Sequence, residues 1–137
     1  MTRFRLALVT ALLTLATVFV LAGCGDTKGA DFMDQVADVN DATIALVKAT
    51  GDGKDIDKIH EKAEAFNKEY AALKKADPGD NFKSVKPGLI EAGGAIKEQA
   101  DALLEAEDAE SAQLVILAME ETSGDWDDAV EKANKKV

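Results

Sequence analysis

The chain has 137 residues, 16 lysines and arginines against 26 aspartates and glutamates, a formal charge of −10 and one cysteine. That length suits one domain with one small core, and the acidity argues against nucleic acid and bare anionic lipid as partners, because such a surface repels both. A lone cysteine excludes an intramolecular disulfide, a CxxC redox pair, a thiolate zinc site and a CxxCH haem attachment.

Met1 to Arg5 holds two positive charges, Arg3 and Arg5, and Leu6 to Leu21 is apolar or small without a charge. This is the charged and apolar pattern of a secretory signal, with a core on the short side for a membrane-spanning helix. It ends in Leu21-Ala22-Gly23-Cys24, which resembles the lipobox of bacterial lipoproteins. The resemblance implies cleavage between Gly23 and Cys24 and a diacylglycerol on the Cys24 thiol. In many bacteria the new amino group is acylated too, by a chain such as palmitate. Two or three such chains hold a protein to a bilayer far more firmly than one, at roughly 0.8 kcal/mol per buried CH₂.

On this reading residues 1–23 are the signal peptide, 24–30 an acylated tether and 31–137 the folded domain. The mature chain then keeps 14 lysines and 26 carboxylates, a charge of −12, and no arginine. Without arginine it has no planar guanidinium fork for phosphate or carboxylate. The expected location is the cell envelope, with the domain facing the periplasm or the exterior. Gly25 after the cysteine resembles outward sorting in a Gram-negative host, but Asp26 follows it, so inner and outer membrane both stay open.

Four helical stretches follow. In residues 31–50, Phe32, Val36, Val39, Thr43 and Val47 are spaced by three and four, opposite Asp34, Asp38, Asp41 and Lys48, and Gly51 and Gly53 signal a stop. Residues 55–76 carry a cleaner seam, Ile56, Ile59, Ala63, Phe66, Tyr70 and Leu73. Asp55 and Asp57 suit the positive end of that helix dipole, and Lys74 and Lys75 the negative end. Asp77 to Asn81 reads as a turn, after which Phe82, Val85, Leu89, Ala92, Ile96 and Leu103 restore the period, with the helix either starting or kinking near Pro87.

Asp108 is a candidate cap for the last stretch, whose stripe is Ala112, Val115, Met119, Thr122, Trp126, Ala129 or Val130, and Ala133. That stripe runs through Ser123-Gly124 and predicts one helix with a weak point there. Joints this short predict an all-α, up-down-up-down antiparallel four-helix bundle. Gly93 and Gly94 would let a neighbouring helix or a flat ligand approach closely.

Chemistry-bearing groups are sparse. His60 is the sole histidine, and Asp57-x-x-His60 supplies one carboxylate-x-x-histidine pair where a di-iron bundle needs two and further glutamates. Asp125-Trp126-Asp127-Asp128 lacks the spacing of a calcium loop, and in Asp52 to Asp57 a lysine, Lys54, stands where an oxygen ligand is required. Thr122 and Ser123 have no base placed beside them by any motif. The expectation is a protein that is not an enzyme.

The order and length of the helices, Met33 in the first and Thr122 to Val130 in the last resemble the cytochrome c′ and cytochrome b562 family of exported haem-binding bundles. The c′ attachment motif is absent: Thr122, Asp125 and Trp126 stand where two cysteines and an axial histidine belong. A b562-type site takes a methionine from the first helix and a histidine from the last, and the last helix here has no histidine. The resemblance therefore implies a haem-less member in which Trp126 occupies the space of the ring, or a likeness of architecture only.

The expected function is a lipid-anchored, non-enzymatic binding or scaffolding module without a cofactor, held by acyl chains on Cys24 and meeting an envelope protein partner. The alternative is an electron carrier with non-covalent haem b, its ligands drawn from Met33, Met119 and His60.

Overall fold

In a computed structural model, residues 27–52 and 55–137 are described, and they form an all-α structure of five helices with no strand among them. These are α1 (Thr27–Asp52), α2 (Ile56–Lys75), the short α3 (Gly79–Phe82), α4 (Lys86–Glu105) and α5 (Ala109–Asn134). Helix α1 packs on α2, α2 on α4, α4 on α5, and α5 on α1, while α3 lies against α1.

The core is the set of apolar stripes turned toward one another. Ile59, Ala63, Phe66, Tyr70 and Leu73 of α2 are buried, as the heptad seam predicts, while Ile56 at its start is partly buried. From α4 come Leu89, Ala92, Gly93, Ile96, Ala100 and Leu103. Helix α1 contributes Phe32, Val36 and Val39, but its sixth turn buries Leu46 completely and leaves Val47 partly covered. Similarly Ser123, not Thr122, is buried in α5 beside Met119 and Trp126. The buried hydroxyls are satisfied within their own helices: Thr43 donates to the Val39 carbonyl at 2.8 Å, Thr50 to Val47 at 2.8 Å and Ser123 to Glu120 at 3.0 Å.

Helix ends follow the local signals in most places. Asp55 caps α2 by accepting from the Lys58 amide at 3.1 Å, and Lys74 and Lys75 occupy its last turn. Asp108 caps α5 through a reciprocal box with Ser111, whose amide donates to the Asp108 carboxylate at 2.8 Å. Pro87 lies in the first turn of α4, where its missing N–H costs nothing, so the helix starts there rather than kinking. Ser123-Gly124 leaves α5 unbroken.

Two boundaries depart from the sequence reading. Thr27, the first described residue, is already in α1, so Thr27 to Ala30, read as tether, has helical backbone; the Lys28–Asp77 ion pair at 2.9 Å ties this turn to the chain just beyond α2. The stretch read as a plain turn before the third helix contains α3, so the described residues hold five helices rather than four. Gly79 supplies the positive φ of 60° that starts it, its amide donates to Asp77 at 3.0 Å, and its last residue, Phe82, is driven into the core against Phe32, ring centroids 6.0 Å apart.

Candidate functional site

The interior is organised around Trp126, which is fully buried in α5 and donates its indole N–H to the Asn40 side-chain oxygen of α1 at 3.2 Å. Its ring edge reaches Gly93 of α4, where an added Cβ would come within 3.3 Å of Cζ3. Tyr70 of α2 closes on the same glycine, its ring stacked on Phe66 with centroids 6.0 Å apart and its hydroxyl donating to the Ile90 carbonyl at 2.7 Å. Burial pushes the Tyr70 phenol upward from its ordinary value, and Lys97 opposes this. The close approach expected of the glycine pair thus serves the neighbour Tyr70.

The candidate haem ligands do not meet. Met33 is buried near the start of α1, two residues before Gln35, whose amide donates to the Glu69 carboxylate of α2 at 3.1 Å. His60 is nine residues before Glu69 on the same helix, roughly 13 Å along it at the α-helical rise, and its Nε2 lies 3.0 Å from the Ala106 carbonyl. Met119 is buried in α5 one turn before Ser123 and toward the Gln99 side of α4, since Thr122 hydrogen-bonds Gln99 at 2.6 Å. Between the levels of Met33 and Met119 the interior is occupied by Trp126, Tyr70 and Phe66. A haem needs two axial side chains on one open slot, and these residues do not fit that requirement.

The remaining candidates are dispersed. Asp57, Asp125 and Asp128 are exposed and Asp127 is half-buried. Burial raises the Asp127 carboxyl above its ordinary value, and the charge of Asp128 adds to this. On α1, burial and then the charges of Glu69, Asp41 and Asp34 push Asp38 in the same direction. Among the described residues no group of three or more histidines, cysteines and carboxylates is placed to hold a metal. Gly23 and Cys24 lie outside the described residues.

Two surface features remain. An open cleft of about 440 Å³ lies between the start of α1 and the end of α2, with the buried Phe32 at its base and Lys28, Asp31, Gln35 and Lys75 around it. On α5, Leu114 and Leu117 are 76% and 62% exposed, and their spacing of three puts them on one outward face. They belong to Leu114-Val115-Ile116-Leu117-Ala118-Met119, which is apolar all the way round the helix, while exposed Glu110, Glu120 and Glu121 flank it. Sequence reading took Val115 and Met119 as core and passed over the outward pair. The available signal was six consecutive apolar residues, more than the one stripe that a helix packed on a single side requires.

Comparison with protein-family models, curated proteins and solved structures finds no match for this chain.

Proposed function

We propose that the chain is a bacterial lipoprotein, anchored through Cys24, whose up-down-up-down four-helix bundle, with α3 inserted in its second joint, is a non-enzymatic binding or scaffolding module of the cell envelope. The anchor is supported by the charged start, the uncharged stretch Leu6 to Leu21 and the Leu21-Ala22-Gly23-Cys24 lipobox. The bundle topology is supported by the pairings between neighbouring helices: Gln35 with Glu69, His60 with Ala106 and Thr122 with Gln99. The likeness to c′ and b562 cytochromes is one of architecture, with Trp126 filling the interior.

The observation that carries the binding role is the outward Leu114–Leu117 face, since a large exposed apolar pair rimmed by charge marks an interaction surface. Two tests follow. Cys24→Ser is expected to remove the acyl mass seen by mass spectrometry and to leave the chain uncleaved with Leu6 to Leu21 attached; native protein that carries no acyl mass on Cys24 defeats the anchor. Leu114→Glu with Leu117→Glu is expected to shift the denaturation free energy by no more than about 0.5 kcal/mol, as substitutions of exposed side chains do. A photo-crosslinker at position 117 of the otherwise native protein should yield one discrete heterologous adduct in intact cells, lost in Leu114→Glu, whereas one at the exposed Lys68 should not. No adduct at 117, or equal adducts at both positions, counts against the docking face.

A further inference from the structure

The net charge of the chain conceals a separation that the fold creates. The Lys28–Asp77 ion pair puts the start of α1 beside the end of α2. Lys86, which opens α4, donates its ammonium to the Lys74 and Ala76 carbonyls at 3.0 and 2.6 Å, so α4 starts at the same place. Along α5, Thr122 pairs with Gln99 and Trp126 four residues later reaches Gly93, so the end of α5 runs toward the start of α4. Four helix termini and α3 therefore gather at one end of the molecule.

That end is built from residues 27–31, 74–86 and 131–137, which hold eight lysines against four carboxylates, a net +4. Lys74 and Lys75 come from the last turn of α2, Lys83 from the turn after α3, and Lys132, Lys135 and Lys136 from the end of α5; all six are exposed. The other described residues hold five lysines against twenty-one carboxylates, a net −16. Helix α5 has six carboxylates and no lysine from Glu110 to Asp128, the last three of them, Asp125, Asp127 and Asp128, within two turns of Lys132.

The lysine end is also where the chain arrives from Cys24. Only Gly25 and Asp26 separate that cysteine from Thr27, at most about 10 Å of extended chain. We infer that this lysine end is a docking surface for the anionic phospholipid headgroups of the membrane that holds Cys24, which stands the bundle upright with its acidic end pointing away. The inference rests on the proposed anchor. It reverses the expectation from overall charge that anionic lipid would be repelled, because the two poles are not equally near the surface. A 26-residue helix such as α1 is about 39 Å long, whereas charge is screened over about 8 Å at physiological salt. The surface therefore acts on the lysines and hardly at all on the carboxylates of the opposite end, Asp55, Asp57, Glu105, Glu107, Asp108 and Glu110. The Leu114–Leu117 face, near the start of α5, is then held out from the bilayer.

The experiment uses full-length lipidated protein reconstituted into vesicles of phosphatidylcholine alone or mixed with phosphatidylglycerol, with the acetylation rate of each lysine followed by mass spectrometry. Lys74, Lys75, Lys83, Lys132 and Lys136 should react several-fold more slowly on the anionic vesicles, while Lys48, Lys58 and Lys62 keep one rate on both. Molar salt, which shortens screening to about 3 Å, should abolish the difference. Lys74→Glu, Lys75→Glu, Lys132→Glu and Lys136→Glu combined should remove the protection of Lys83. Equal rates at the lysine end on the two vesicles, or protection spread over both ends, overturn the inference while leaving the anchor intact. Protein that lacks acyl mass on Cys24 and fails to float with neutral vesicles overturns the anchor and the inference together.

Discussion

Trp126→Ala is expected to lower the stability of the domain by about 3–5 kcal/mol, the range for removing a buried tryptophan or phenylalanine side chain. Trp126 of α5 is fully buried, reaches Gly93 of α4 beside Tyr70 of α2 and donates to Asn40 of α1. Deleting the indole leaves a cavity that four helices cannot all close at once, and it strands the buried Asn40 side-chain oxygen. For a domain whose total stability is about 5–15 kcal/mol, this is a fifth of the margin or more. Urea denaturation followed by far-ultraviolet circular dichroism measures it without depending on the lost fluorophore. Trp126→Phe retains most of the apolar ring and loses the hydrogen bond, so its cost should fall to about 1–3 kcal/mol, the penalty of an unsatisfied buried polar group. Adding Asn40→Leu to Trp126→Phe should cost less than the two changes summed, because the stranded acceptor disappears. A loss below about 1 kcal/mol for Trp126→Ala would show that the interior does not depend on this residue.

The parts of the fold that were legible are those decided within one or two helical turns. The α2 seam from Ile59 to Leu73 is strictly periodic and all of it is buried, and Asp55, Asp108 and Pro87 act at helix starts through bonds or constraints inside their own segment. Periodicity does not decide how far a helix is rotated toward one neighbour rather than another, which is why Leu46 is fully buried in place of Val47 and Ser123 in place of Thr122. Nor does local propensity predict contacts between distant segments. Helix α3 exists because Phe82 has Phe32 to pack on, and α1 reaches back to Thr27 where Lys28 meets Asp77. The candidate surfaces divide in the same way. The apolar run at Leu114 to Met119 is visible in the chain, but its outward face emerges only once the other side is packed. The separation of lysine from carboxylate is spread over three segments of sequence and becomes a pole only when the helix ends are brought together.

Gly93→Ala and Gly124→Ala are expected to change stability in opposite directions, although both place the same methyl group in a helix. At Gly124, exposed in α5, a Cβ meets nothing within 4 Å, so the variant should gain about 0.5–1 kcal/mol from reduced backbone freedom in the unfolded chain. The same gain is available at Gly93, but there the Cβ would lie 2.7 Å from Tyr70 Cε2 and 2.9 Å from Cδ2. Tyr70 cannot readily give way, because its ring is stacked on Phe66 and its hydroxyl is bonded to the Ile90 carbonyl. Relief must come from separating α4 from α2, which also disturbs the contact with Trp126, and overpacking of this kind costs about 1–3 kcal/mol. The net expectation for Gly93→Ala is therefore a loss of up to about 2 kcal/mol once the helix-propensity gain is included. Paired denaturation curves check both signs. Tyr70→Phe in the Gly93→Ala background separates the two contributions: without the hydroxyl bond the ring can tilt, so part of the loss should be recovered relative to the sum of the single changes. A stabilised Gly93→Ala would mean that α2 and α4 are free to separate at this level, and that the close approach is a consequence of the fold rather than a condition for it.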